Sequence, residues 1–128
     1  MLVDTSAWIE FFRTPTSPVG DVVMALLRQA RACYTGLIVV ELYRGAKGHR
    51  ELDSLDQLFG TIESLHVSEE AYRAAGRLCA QFARRGITVG TVDAMIATVA
   101  VEHDCALLSL DRHFKAIAAL WQLRLVQI

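Results

Sequence analysis

Hydrophobic and polar positions along this chain switch between strand-like runs and helical spacing, and the switches mark its elements. Met1-Leu-Val is a short apolar run ended by Thr5 and Ser6, both good helix N-caps, ahead of Ala7-Trp-Ile-Glu-Phe-Phe-Arg. After the loop Thr14-Pro-Thr-Ser-Pro, Ser17 is an N-cap followed by a first-turn proline, Pro18. Val22, Val23, Leu26, Leu27 and Ala30 then recur on one helical face. Ala32-Cys-Tyr-Thr reads as a buried strand. Thr35 is placed to cap a helix running through Leu42 to Gly45, although Leu37-Ile-Val-Val alone also fits a strand. Leu52, Leu55, Leu58 and Phe59 repeat at helical spacing, and Ser64-Leu-His-Val reads as a third strand. Ser68 caps the clearest helix, with Glu69 and Glu70 in the first turn where the helix dipole favours them. Its predicted buried face is Ala71, Tyr72, Ala75, Leu78, Cys79 and Phe82, and Arg84-Arg85-Gly86 closes it. From Thr91 to His103 nearly every residue is apolar, so that helix is expected to be buried on most sides. Ala106 to Leu110 and Leu123 to Ile128 complete the strands.

Strands that are continuous apolar runs, alternating with helices, predict an α/β fold with a parallel sheet covered on both faces. Residues 1–128 read as one domain, without repeat, low-complexity tract or linker, and are numerous enough to bury a core without staples. Hydrophobic residues make up 53% of the chain and charged residues 21%, so some apolar surface is expected to meet another protein, a second copy or a different partner. The net charge of -1 neither advertises nor excludes a nucleic-acid binder, because a local basic stripe can hide in a neutral total. Cys33, Cys79 and Cys105 are odd in number with no Cys-x-x-Cys pair, which favours buried free thiols in a reducing compartment over a zinc site. Asp4 and Glu10 interrupt the N-terminus, so no signal peptide fits. No apolar run approaches a membrane span, even around Ala94 to Val101, and a cytoplasmic protein is expected.

Four acids change this picture. Asp4, Glu41, Asp93 and Asp111 each sit where an apolar or turn segment ends and a helix begins. A carboxylate beside so much hydrophobic residue is costly unless its charge is compensated. Ligands of an open parallel sheet bind outside the carboxyl ends of its strands, a rim that all four acids can reach. Carboxylates gathered there would repel one another and would want a hard divalent cation, magnesium or manganese, with substrate phosphate oxygens completing its shell. Such an ion lowers the pKa of a bound water and stabilises charge on a phosphate in flight. Thr5 and Ser6 supply hydroxyls to orient Asp4 or a metal-bound water.

Each acid also has an ordinary explanation. Asp4 and Asp93 fit helix starts and Asp111 fits a turn, whereas Glu41 interrupts an apolar stretch where leucine would pack better. Arg73, Arg77, Gln81 and Arg84 share a helical face that reads as solvated, and Arg44, three residues after Glu41, is better placed to touch RNA or to pair with an acid. Of the histidines, only His113 beside Asp111 is a candidate accessory group. Trp8, Phe11, Phe12 and Trp121 suit a core or an interface more than base stacking. A phosphoacceptor receiver would want two adjacent acids after the first strand, and an aspartate-nucleophile phosphatase would want Asp-x-Asp. This chain offers Asp4-Thr-Ser. A catalytically silent binding module is the other alternative.

Val3-Asp-Thr-Ser, Val40-Glu-Leu-Tyr-Arg-Gly, Val92-Asp-Ala-Met-Ile-Ala and Leu108-Ser-Leu-Asp-Arg-His-Phe resemble, in order and spacing, the four acidic motifs of PIN-domain nucleases. Compact size and a short N-terminus look most like the VapC toxins of type II toxin–antitoxin pairs. The resemblance implies a three-layer α/β/α sandwich with a mainly parallel sheet of four to five strands, and a magnesium-dependent endoribonuclease that leaves 5′-phosphate and 3′-hydroxyl ends. It also implies a homodimer restrained by a small VapB antitoxin. Asp4, Glu41 and Asp93 match the central acids and Asp111 the fourth, with Asp4 and Asp93 the implied metal ligands and Thr5, Ser6, Ser109 and Arg44 accessory. His113 stands where members often carry a further acid, and Ser109 where threonine is common.

Overall fold

Two apolar dipeptides, Leu2-Val3 and Leu107-Leu108, hold the centre of a five-stranded sheet, each side chain 1% exposed or less. The computed structural model describes residues 1–128. Its strands are β1 (Leu2–Val3), β2 (Cys33–Tyr34), β3 (Glu63–Ser64), β4 (Leu107–Leu108) and β5 (Leu125–Val126), all parallel in the order β3-β2-β1-β4-β5. Between them run α1 (Thr5–Arg13), α2 (Pro18–Arg28), α3 (Gly36–Gly45), α4 (His49–Phe59), α5 (Glu69–Arg84), α6 (Thr91–Glu102) and α7 (His113–Leu120).

Right-handed crossovers fix the layers. The chain steps from β1 to β2 to β3 in one direction, which lays α1 to α4 over one face. It then returns past β1 to β4 and β5, which lays α5 to α7 over the other. The packing agrees: α1 rests on α2 and α3, whereas α5 packs on α6 and α6 on α7. The expected three-layer α/β/α sandwich is therefore present, with five strands. The direction reverses between β1 and β4, where Leu2 pairs with Leu107 and Val3 with Leu108. Their carboxyl ends frame the crevice in which such sheets bind ligands.

The strands are shorter than the apolar runs suggest, because each run bends into its helix or loop once the ladder is satisfied. The ladder still reaches the rim: the Asp4 N–H donates to the Leu108 carbonyl at 2.9 Å, and the Ser109 N–H to Val126 at 3.2 Å. Strand β3 lies earlier than Ser64–Val67. Its exposed residues Glu63 and Ser64 pair through their backbones with Cys33 and Tyr34 at the sheet edge, where side-chain pattern carries no register.

Helix starts follow the sequence at Ser17 and Ser68, whose hydroxyls accept from Gly20 and Ala71 N–H groups at 3.0 Å. The first helix differs, since Asp4, not Thr5 or Ser6, is its N-cap and accepts from the Ser6 N–H at 3.4 Å. Thr35 precedes α3 but makes no capping bond, and its Oγ1 is buried without a partner. Helix α6 is buried from Ala94 to Ala100, as its composition requires. Gly86, at φ +77°, ends α5 in the left-handed conformation that glycine tolerates. Tyr72 leaves the predicted face of α5 and is 53% exposed, one helical step of rotation away from buried Ala71. Ala30 lies beyond the end of α2, exposed, at φ 54°. The cysteines are free, but only Cys33 is buried, which raises its thiol pKa; Cys79 and Cys105 are half-buried. No helix is long and apolar enough to cross a membrane.

Candidate active site

Asp4 leaves β1 at the switch point and is 5% exposed. Its Oδ2 takes hydrogen bonds from the hydroxyls of Ser6 and Ser109, both at 2.8 Å, in addition to the capping bond. The two serine oxygens are 3.2 Å apart and also receive backbone donors: Leu110 N–H reaches Ser6 at 2.9 Å, and Asp111 N–H reaches Ser109 at 3.0 Å. This web ties the start of α1 to the loop after β4, so that Asp4 and Asp111 are positioned together. Gln127, whose side chain donates to the Asp111 carbonyl at 3.1 Å, secures the loop from β5. No sequence signal marks Gln127.

Glu41 comes from the far side of the rim, on α3. It is exposed, because the outward face of α3 also carries Val40, so packing does not explain it as the apolar run suggested. Thr5, expected to serve Asp4, donates instead to Glu41 Oε1 at 2.7 Å. Arg44 is exposed and in no ion pair, and with Thr5, Glu41 and Gly45 it lines a hollow of ≈ 280 Å³.

Asp93 lies in the first turn of α6, half-buried, where an aspartate could bond back to the N-cap. Gly90 is that N-cap, and the Asp93 side chain makes no hydrogen bond to it or to any other group. Burial pushes its pKa up to about 6, aided by the charges of Asp111, Asp4 and Glu41 and opposed by His113. Asp93 therefore lies in the field of the other three acids and of His113. One ligating atom each from Asp93, Asp111 and His113 lies within 4.8 Å of the others, and neither Asp4 nor Glu41 joins that trio at this spacing. His113 Nδ1 stands 2.8 Å from Asp111 Oδ1, the one contact with a basic side chain made by any of the four acids. No lysine or arginine neutralises the rim, so a set of oxygen donors stays uncompensated, which fits a hard divalent cation. By contrast, Arg73 and Arg77 pair with Glu70 at 3.9 and 3.3 Å in full solvent, so that face of α5 is a solvated one.

A groove of ≈ 800 Å³ opens between α1, α3 and α4, with Glu41 among the residues that line it. Phe12, Leu42, Leu55 and Leu58 line it, and Arg13, Lys47 and Arg50 stand beside them. Trp8 is wholly buried and stacks on Phe12 with ring centroids 6.1 Å apart, so α1 supports the groove wall from the core.

The PIN domain family matches residues 1–120. Ribonuclease VapC11 of Mycobacterium tuberculosis (strain ATCC 25618 / H37Rv) is 32% identical over 128 residues, spanning 97% of this chain and 96% of that protein. Among solved structures, VapBC2 from Rickettsia felis, bound to a promoter DNA fragment, superposes with a TM-score of 0.80 at 16% identity, over 99% of this chain and 97% of that one. VapBC-5 from Mycobacterium tuberculosis, a member of the VapBC family of toxin–antitoxin systems, gives 0.71 at 23% identity, again over 99% and 97%. The structural likenesses carry the fold, and the matches in sequence carry the kinship: the chain belongs to the PIN-domain family, in its VapC branch.

Proposed function

We propose that this chain is a divalent-cation-dependent endoribonuclease and the toxin half of a VapBC-type pair. One observation carries the reading: Asp93 is a half-buried carboxylate whose side chain makes no hydrogen bond and pairs with no lysine or arginine, in the field of three more acids. A half-buried carboxylate left without a partner among other acids marks a candidate functional site. The name ribonuclease borne by the mycobacterial relative supports RNA as the substrate.

Asp4 and Asp93 would hold Mg²⁺ or Mn²⁺, with Asp111 beside them. When bound, such an ion neutralises the phosphate and lowers the pKa of a water. The protein's own groups do the remainder. Ser6 and Ser109 fix Asp4 through Oδ2 alone, which leaves Oδ1 without a protein partner. Glu41, held by Thr5 at the exposed edge of the rim, is free to accept a proton from the attacking water. Arg44, unpaired beside it, meets the RNA backbone as a phosphate contact.

The partner reading rests on the groove. An amphipathic antitoxin segment would lay its apolar face against Phe12, Leu55 and Leu58 and place acidic side chains near Arg13, Lys47 and Arg50. Glu41 lines the groove, so a basic residue of that segment placed beside it would pair with one of the acids themselves.

Sequencing of RNA 5′ ends after induction tests the nuclease reading. The wild type is expected to generate new 5′-phosphate ends at a limited set of sites, and Asp93→Asn none. New ends of equal abundance from the variant would remove the acidic rim from the reaction.

A further inference from the structure

The acidic rim contains one donor that is not oxygen. We infer that His113 is itself a ligand, and that with Asp93 and Asp111 it makes a mixed nitrogen–oxygen site selecting a first-row transition dication such as Mn²⁺ or Co²⁺ over Mg²⁺. The inference rests on the reading that this rim holds a divalent cation.

Donors about 2.1 Å from an octahedral ion stand roughly 3 to 4.2 Å from one another. One carboxylate oxygen each of Asp93 and Asp111 and one ring nitrogen of His113 lie within 4.8 Å of one another, so small side-chain rotations close the set around a single ion. Asp111 also sets the ring. Its Oδ1 accepts the His113 backbone N–H at 2.9 Å and stands 2.8 Å from Nδ1. A carboxylate that accepts a hydrogen bond from Nδ1–H fixes the tautomer with Nε2 as the lone-pair donor, the arrangement by which carboxylates orient metal-binding histidines. If Nδ1 ligates instead, Asp111 Oδ1 is already its neighbour in the coordination shell. Either way the imidazole enters neutral, as a ligand must.

The fold gives His113 no other employment. Its side chain is 81% exposed, and its neighbour Phe114, 0% exposed, does the packing of α7. Asp93 approaches from α6, the helix against which α7 packs, so the trio is carried on two touching elements. Selectivity then follows from donor chemistry. Mg²⁺ favours oxygen and sheds its waters reluctantly, whereas an imidazole strengthens binding along the series from Mn²⁺ to Co²⁺ and Ni²⁺.

Two measurements on the purified full chain test this without recourse to RNA cleavage. Pulsed electron paramagnetic resonance of bound Mn²⁺ is expected to show coupling to a directly coordinated ¹⁴N in the wild type and none in His113→Gln. Calorimetric titration is expected to show Co²⁺ binding weakened at least about tenfold by His113→Gln, with Mg²⁺ binding within about twofold of wild type. His113→Asp, which restores an all-oxygen set, is expected to lose the cobalt preference while retaining Mg²⁺. Mn²⁺ bound without nitrogen coupling in the wild type overturns the inference, and that spectrum needs no variant to fold. Equal losses for Co²⁺ and Mg²⁺ in His113→Gln overturn it as well. Metal-dependent RNA cleavage together with a nitrogen-free spectrum would refute the ligand and spare the nuclease. Nitrogen coupling in a chain that cuts no RNA would do the reverse.

Discussion

At the scale of single residues, the rim divides into acids that are held and one that is not. Asp4 is held by two hydroxyls and Glu41 by one, whereas Asp93 has nothing. A carboxyl raised to about 6 in the fold binds its proton more tightly there than in the unfolded chain. Its favourable contribution is thus complete below pH 4 and disappears as pH rises through 6. In EDTA, wild type and Asp93→Asn are expected to melt alike near pH 4. At pH 7 the variant should be the more stable by about 1–2 kcal/mol, solvent screening allowed for. Magnesium at pH 7 should then raise the melting temperature of the wild type more than that of the variant. A variant much less stable at pH 7 without metal would make Asp93 a helix-start residue and nothing more. Ser109 poses the complementary case. It is 0% exposed and bonded on both sides, so Ser109→Ala is expected to cost about 1–3 kcal/mol in urea denaturation and to slow cleavage by loosening Asp4. Cleavage at the wild-type rate would show that Asp4 is placed without it.

At the scale of elements, what was legible in the sequence depended on whether side-chain pattern alone decides the structure. Helix α6 was legible because almost any orientation of so apolar a segment is buried, and α5 because its caps and its stripe agree. Strand β3 was displaced because an edge strand is specified by backbone pairing to β2, which Glu63 and Ser64 do not advertise. The acids and their common rim could be read from strand ends. Their partners could not, since the Thr5 bond to Glu41 depends on how α1 lies against α3, and the Ser6–Ser109 contact on β1 beside β4. The start of α3 shows the same limit. Thr35 occupies an N-cap position, yet its hydroxyl is buried and unbonded, a burden that an apolar isostere would lift. Thr35→Val is expected to be neutral or stabilising by up to about 1 kcal/mol in chemical denaturation. Destabilisation by more than that would reveal a hydrogen bond at Oγ1.

At the scale of the molecule, one crossover reversal accounts for both halves of the reading. The switch between β1 and β4 gathers the acids, and the layer built by α1 to α4 supplies a groove that Glu41 helps to line. On the proposed reading, site and groove share that residue, so partner binding and cation binding would be thermodynamically linked. Raising Mg²⁺ is therefore expected to weaken an antitoxin segment seated in the groove by a few fold, readable by calorimetry, and Glu41→Gln should abolish the dependence. Equal affinity at low and high Mg²⁺ would place the partner away from the rim. The central claim, that these carboxylates cut RNA through a cation they hold, is most directly tested by titrating Mg²⁺ or Mn²⁺ into EDTA-treated wild type and Asp93→Asn with a labelled RNA. Cleavage should be absent in EDTA, return with metal in the wild type, and stay lower by orders of magnitude in the folded variant. Undiminished cleavage in excess EDTA, or wild-type rates from Asp93→Asn, would contradict it.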